Sequence, residues 1–310
     1  MINDQTLQAV GQALQNKSAI DFVRTSIKAG YYEFFPAAVK QVDVIVDLAF
    51  DRLAKSQHDL AVTSRLMAVT ADLAAHTFRK DDPSFWFNDI YHRYKTQIKP
   101  EADFQQLRDL IIGSRILDYG CGSGYLAARL ARGGYDVSTT DVLDYRYAEA
   151  QPLPFRSMSS PTDIPYPDDS IDTALVQAVF HHIGPDDLPL VLRHLARIAQ
   201  HALIKEDTYD LPAQLPGVAE TKAKQPLLHA FMEMPRDTQC CVLILIDFYA
   251  NAIAQGILEM NMPFEFRSVT QWQETFEANG WKVNRTWVAG FEPGRMHKSC
   301  HVWFVCERLR

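Results

Sequence analysis

The apolar positions of the chain change period as the sequence proceeds. Over residues 1–80 they recur at helical spacing: Leu7, Val10 and Leu14, then Ile20 to Val23, then Val42, Ile45, Val46, Ala49 and Leu53. Residues 61–78 continue the pattern, and residues 80–84 read as a loop. Gly30 and Pro36 punctuate these helices around an aromatic group, Tyr31, Tyr32, Phe34 and Phe35. That group reads either as a corner of the core or as a lid over a pocket. A helix bearing Tyr91 and Tyr94 follows, then one over residues 102–110.

From Arg115 the pattern becomes strands alternating with helices. A short strand at 115–118 runs into the turn Gly120-Cys121-Gly122-Ser123-Gly124, and a helix follows that stops at Gly133-Gly134. Residues 135–140 form a β-branched strand ending at Asp141, residues 171–176 another, 188–199 a helix, and 201–205 a strand. Such alternation predicts βαβ units and a parallel sheet. The end of the chain differs. A helix at 270–278 precedes strands at 281–288 and 301–306, joined by a loop with Pro293 and Gly294 and no helix, so this pair is expected to be antiparallel. The segment 211–266 is too long for an ordinary connection and reads as an inserted cap. Its apolar helix, predicted over 242–258, would serve as a cap or as a homodimer interface. The organisation expected is therefore a helical region over 1–100, acting as lid or oligomerisation arm, and an α/β domain over 101–310 carrying the 211–266 cap.

Composition narrows the function. With 47% apolar and 22% charged residues in 310, the chain has the balance of a globular protein. A net charge of −7 argues against a nucleic-acid partner, which requires a basic surface. Five cysteines, two of them adjacent at 240 and 241, suggest reduced thiols and a cytoplasmic setting. The opening MINDQTLQAV lacks the pattern of a leader peptide. The most apolar run, from Cys240 to Ile246, ends at Asp247, well short of the roughly 20 residues that span a bilayer, so no membrane partner is expected.

The glycine turn is the strongest chemical signal. Glycine allows backbone to approach a ligand, and the helix that opens there presents free N–H groups. Asp141 ends the next strand 21 residues after Gly120, where an acid meets ribose hydroxyls in nucleotide-binding βαβ units. The dinucleotide fingerprint G-x-G-x-x-G is not met, because the third glycine arrives one residue early and Tyr125 takes its place. Asp118, just before the turn, suits a cationic amino group better than a pyrophosphate. The ligand expected carries an α-amino group and a ribose.

On these residues the chain resembles the class I S-adenosylmethionine (SAM)-dependent methyltransferases. The stretch ILDYGCGSG at 116–124 is similar to the family's first motif. The likeness continues at Asp141, at IPYPDDSID over 164–172 and at VFHHI over 179–183. It implies a Rossmann-like, doubly wound, seven-stranded sheet with an antiparallel last strand, SAM as methyl donor and S-adenosylhomocysteine as product. It also implies that Asp118 and the backbone of Gly120, Cys121, Gly122 and Gly124 hold the methionine end, and that Asp141 takes the ribose with Val142 beside the adenine. Gln177 would stand near the sulfonium, and Tyr91 would cover the cofactor. Where the family often has an acid near adenine, this chain has Ser157-Met158-Ser159-Ser160-Pro161, which puts Ser159 or Ser160 in that place.

Candidate catalytic residues sit at the carboxyl edge of the sheet, where open α/β sheets bind ligands. His181 is a general base or a plain scaffold residue. Asp207 orients a base, binds an amine or faces solvent. His297 lies in the loop between the last two strands. Asp247 and Asn251, one helical turn apart in an apolar helix, face either a pocket or solvent. His297, Cys300, His301 and Cys306 do not have zinc-ligand spacing, and no metal is expected. The function these residues suggest is O-, N- or C-methylation of a small or medium-sized organic acceptor. The alternatives are a non-catalytic SAM-binding regulator and a protein or tRNA methyltransferase.

Overall fold

In the computed structural model, residues 2–56, 62–79, 82 and 84–309 are described. Ala61, and Lys80, Asp81 and Pro83 of the expected loop, lie outside them. The sheet is built from β1 (Arg115–Tyr119), β2 (Asp136–Asp141), β3 (Phe155–Ser157), β4 (Ile171–Gln177), β5 (Ala199–Tyr209), β6 (Arg267–Ser268), β7 (Trp281–Gly290) and β8 (His301–Arg308). The order is β3-β2-β1-β4-β5-β8-β7, with the two-residue β6 pairing beside the end of β5. Strands β3, β2, β1, β4 and β5 pair in parallel. β8 lies antiparallel to both β5 and β7. The doubly wound sheet with its antiparallel strand is thus as the sequence indicates, with β6 added.

Alternation along the strands divides the core in two. Ile116, Leu175, Leu203 and Trp303 face one side, where Phe104 and Leu107 of α6 (Lys99–Leu107) and Leu130 of α7 (Tyr125–Arg132) cover them. Leu117, Tyr119, Ala174 and Val176 face the other. There α8 (Leu188–Ile198) buries Leu188, Val191, Leu192 and Leu195, a stripe at helical spacing. α12 (Val269–Glu277) joins it with Trp272 and Phe276, and starts at a capping box between Ser268 and Gln271.

The first helices are α1 (Asp4–Ala13), α2 (Lys17–Phe34), α3 (Val39–Lys55) and α4 (Val62–His76). Asn3 and Asn16 cap α1 and α2 with their side-chain oxygens. After α5 (Asn88–Arg93) and a π-helical turn at Tyr94–Ile98, α6 begins at Lys99, so a boundary at residue 100 would cut through this helix. The segment between β5 and β6 holds α9 (Val218–Lys224), α10 (Pro226–Met232) and α11 (Arg236–Phe248). It packs on the N-terminal helices: Asn16 Nδ2 donates to Thr238 Oγ1 at 3.0 Å, Thr6 Oγ1 to Met262 O at 3.0 Å, and the rings of Phe22 and Phe231 meet at 5.9 Å.

Three local expectations change. The apolar helix starts at Arg236, after Pro235 presets the first turn, and runs through the π-helical turn Tyr249–Ala254, ending before Gly256 at φ +65°. By length and composition Arg236–Ala254 could cross a membrane, but most of it is buried inside the protein. β5 continues to Tyr209 because β8 and β6 both supply partners there, which places Glu206 and Asp207 inside the strand. Gly30 does not break a helix. It lies within α2, where an added Cβ would stand 2.1 Å from the carbonyl oxygen of Met296. The close approach seats the 295–297 loop on α2.

Replacing Gly30 with alanine is therefore expected to cost about 1–3 kcal/mol by overpacking. Denaturant unfolding should show a lower midpoint, whereas the same change at Gly184, which has no positive φ and meets no neighbour within 4 Å, should leave the midpoint nearly unchanged.

Candidate active site

The carboxyl ends of β1, β2, β4 and β5 open into one cavity of about 680 Å³. A volume of that size is within the range of about 300–1,000 Å³ typical of small-molecule sites. The glycine turn forms its floor. Gly120, Gly122 and Gly124 all have positive φ, at +70°, +52° and +73°. At Gly120 a Cβ would come 2.7 Å from Val179, and at Gly124 2.5 Å from Ala150, so both geometry and space exclude larger residues. Gly120 N and Cys121 N donate to Thr140 O at 2.9 and 3.2 Å, which ties the turn to the end of β2. Burial pushes the Cys121 thiol pKa upward, so it stands there as a neutral thiol.

Asp141 closes the turn from the other side. One carboxylate oxygen accepts Gly122 N at 2.9 Å, and the other accepts Val142 N at 2.8 Å and Leu143 N at 3.3 Å. Asp118 is 6% exposed, and burial, together with the charge of Asp141, raises its pKa to about 7. Val142 and Ser159 also line the cavity, and Ser159 Oγ is held by Asp163 Oδ2 at 2.8 Å. Gln177 ends β4 at the wall, and its buried Nε2 has no hydrogen-bond partner. Tyr91 of α5 covers the cavity from above, stacked on Phe87 at 5.2 Å between ring centres. The ten residues expected to hold the cofactor are thus gathered along this cavity, apart from Gly124, which shapes the turn behind it.

The three expected catalytic residues fare differently. His181 has no exposed surface and does not line the cavity. Phe180–His182 is a single 3₁₀ turn, which aims consecutive side chains in different directions: His181 turns inward, and His182 takes the wall. His181 Nδ1 donates to Glu206 Oε2 at 2.7 Å, and Glu206 Oε1 accepts Val179 N and Phe180 N at 3.0 and 2.7 Å. Direct contact of His181 with an acceptor is therefore corrected by the fold. His297 does line the cavity, with Nε2 2.9 Å from the Tyr31 hydroxyl. Burial lowers its pKa to about 3, so it is a neutral polar wall and not a proton acceptor near neutrality. Asp207 lines the cavity with Oδ1 free of hydrogen bonds and 3.5 Å from His301 Nε2. Asp247 and Asn251 face the cavity too, with Asn251 Nδ2 donating to Asp247 Oδ1 at 2.7 Å.

Sequence reasoning did not find the buried ion network beside Asp207. Lys205 Nζ lies 2.6 Å from Glu292 Oε2, and Arg295 Nη2 2.7 Å from Asp103 Oδ1. Lys99 Nζ reaches Asp103 Oδ2 at 2.9 Å, and Lys298 Nζ donates to Glu292 O at 2.6 Å. Burial would raise the Asp103 and Glu292 carboxyls, but the cations around them, Lys99 and Arg295 for Asp103 and Lys205 for Glu292, hold both well below the usual range. Burial lowers the Lys205 pKa despite Glu292. Only the partners' spacing in the folded chain marks this network; Asp103, Lys205 and Glu292 are far apart in sequence.

The glycine turn, the acid ending β2 and the antiparallel β8 together give an open α/β sheet with a cavity at the carboxyl edge of its parallel strands. Residues 117–202, from β1 into β5, match the family model described as a methyltransferase domain. This segment is therefore a methyltransferase-type domain, set in a chain with a Rossmann-like α/β fold. No curated protein matches the sequence. Similar solved structures include a 1,6-didemethyltoxoflavin-N1-methyltransferase from Burkholderia thailandensis, solved with 1,6-didemethyltoxoflavin and S-adenosylhomocysteine. It is 13% identical over 81% of this chain and 92% of its own, with a TM-score of 0.46. A mitomycin 7-O-methyltransferase is 16% identical over 88% of this chain and 70% of its own, also at 0.46. A SAM-dependent methyltransferase from Methanosarcina mazei is 14% identical over 66% and 97%, at 0.44.

Replacing Lys205 with methionine leaves the buried Glu292 without its nearest cation. Stability should fall by about 3–5 kcal/mol, the usual cost of breaking a buried pair from one side. Urea unfolding of the variant against the parent measures it.

Proposed function

We propose that this chain is a SAM-dependent methyltransferase of class I that acts on a small, polar organic acceptor inside the cavity. The observation that carries this reading is the wall beyond the glycine turn. Gln177 Nε2, Asp207 Oδ1 and Arg295 Nη1 are buried there without hydrogen-bond partners. Leaving such groups unpaired is costly, so an acceptor that pairs with them gains affinity and orientation from that source. The chamber is roofed by Tyr91, Tyr94 and the Tyr249–Ala254 turn region, which suits a compact molecule better than a polymer. The net charge of −7 is also ill suited to tRNA. An open cavity with an acid at its wall favours an enzyme over a silent SAM-binding regulator.

SAM supplies an activated methyl group. The chain's own residues then have to bind the donor, align the acceptor and keep water out. In this reading Asp118 receives the α-amino group, the Gly120–Gly122 backbone and Cys121 follow the methionine chain, and Asp141 accepts from the ribose hydroxyls. Val142 and Ser159 flank the adenine, and Gln177 and Tyr91 border the sulfonium end. Gly124 gives the turn its shape. Asp207 is the group placed to take a proton from an acceptor that arrives protonated. His297, hydrogen-bonded to Tyr31, fixes the acceptor's position. His181 acts behind the wall as a positioning residue for its neighbours.

Two measurements test the cofactor assignment. Asp141→Ala should weaken calorimetric binding of S-adenosylhomocysteine by about 10–100-fold, the scale of lost hydrogen bonds to a charged group. The affinity for SAM should also depend on pH. Below an apo pKa of about 7, Asp118 must lose a proton before it pairs with the ammonium group, so binding tightens as pH rises. The slope should approach tenfold per pH unit below neutrality and flatten above it. Asp118→Asn should abolish that dependence; an unchanged slope would remove Asp118 from the amino-group site. For the acceptor, Asp207→Asn should lower turnover while leaving S-adenosylhomocysteine affinity intact.

A further inference from the structure

His181, His182 and Asp247 meet at the wall of the acceptor chamber. His181 Nε2 and His182 Nε2 lie 3.5 and 3.6 Å from the same oxygen, Asp247 Oδ1. The three ligand-type atoms lie within 4.8 Å of one another. We propose that His181, His182 and Asp247 form a binding site for one divalent transition-metal ion, open on the cavity side to an oxygen ligand.

Three independent features support it. First, each imidazole already uses its other nitrogen. His181 Nδ1 donates to Glu206 Oε2 at 2.7 Å, and His182 Nδ1 to the Asn261 carbonyl at 3.0 Å. A carbonyl only accepts, so neutral His182 carries its proton on Nδ1 and turns the Nε2 lone pair toward Asp247. Carboxylate and carbonyl partners of this kind orient metal-binding imidazoles. Second, His181 Nε2 and Asp247 Oδ2 are buried with no hydrogen-bond partner. His181 Nε2 faces the same Asp247 Oδ1 that the His182 nitrogen faces. Third, two carboxylates, Glu206 and Asp247, are enclosed here with 0% and 9% side-chain exposure.

The spacing fits. Donors that sit about 2.0–2.2 Å from one ion stand roughly 3–3.5 Å apart. The two nitrogen-to-oxygen separations are close to that value. The donor set of two imidazoles and one carboxylate favours zinc, iron(II), cobalt(II) or manganese(II) over calcium or magnesium, which take oxygen ligands. His182 and Asp247 line the cavity, whereas His181 lies behind them, so the remaining coordination positions face the cavity. An acceptor hydroxyl bound there would be made more acidic. That role rests on the cavity's reading as the acceptor chamber; the ion site itself does not. Sequence spacing hid the site because Asp247 is 65 positions beyond His182.

The test is titration of the full-length, chelator-treated protein with Co²⁺, followed by visible absorption, and with Zn²⁺ by calorimetry. His182→Ala and Asp247→Asn are measured beside the parent, with S-adenosylhomocysteine binding as the control for folding. The expected result is one ion per chain with cobalt d–d bands. Each variant should lose more than about 100-fold in ion affinity, beyond the usual effect of an outer partner, and keep S-adenosylhomocysteine binding. A parent that binds S-adenosylhomocysteine but takes up neither ion would overturn the site. So would uptake that both variants retain. Ion uptake lost in both variants, in a folded parent that fails to bind S-adenosylhomocysteine, would support the ion site and sink the cofactor reading instead.

Discussion

The buried ion network between β5, α6 and the loop before β8 is the constraint on which the site depends. Lys205 projects from the sheet, Asp103 from a helix ahead of it, and Glu292 and Arg295 from the final loop. Each charge is withdrawn from water, and each is matched by an opposite charge within hydrogen-bonding range. Single removal leaves an uncompensated charge, so the three elements are held to one arrangement. The arrangement places Asp207, His297 and His301 around the same chamber. Gly30 adds a steric condition, since only a residue without Cβ lets α2 meet the loop at Met296.

The cavity has two chemical ends. Around the glycine turn, closely approachable backbone and two buried acids, Asp118 and Asp141, form the first end. Beyond β4 the wall changes to imidazole, amide and paired charges. The N-terminal helices and the segment between β5 and β6 close this second end together. They pack on one another, as Asn16 with Thr238 and Phe22 with Phe231 show, so the cover is a joint structure. This accounts for the polarity of Asp247 and Asn251 within an otherwise apolar helix: both face the chamber.

The glycine-turn end of the cavity was legible because its elements are local. A turn with three glycines follows β1 directly, and Asp141 ends the next strand, so strand length and helix length alone bring them together. The acceptor end was not. Asp207 was placed at a strand end, yet pairing with β8 and β6 extends β5 past it. Of two adjacent histidines, periodicity could not choose which faces the ligand; the 3₁₀ turn and the grip of Glu206 on His181 chose His182. Gly30 looked like a helix break because its contact is with a loop far along the chain.

By itself the sequence determined the class of sheet, the glycine turn and the acid that follows it, since period, turn chemistry and short spacing are properties of neighbouring residues. Which polar side chains share a chamber was decided only by the tertiary structure. Asp103, Lys205, Asp247, Glu292 and His297 come from separate elements. Their charges and proton states follow from burial and from one another, and neither exists until the chain has packed.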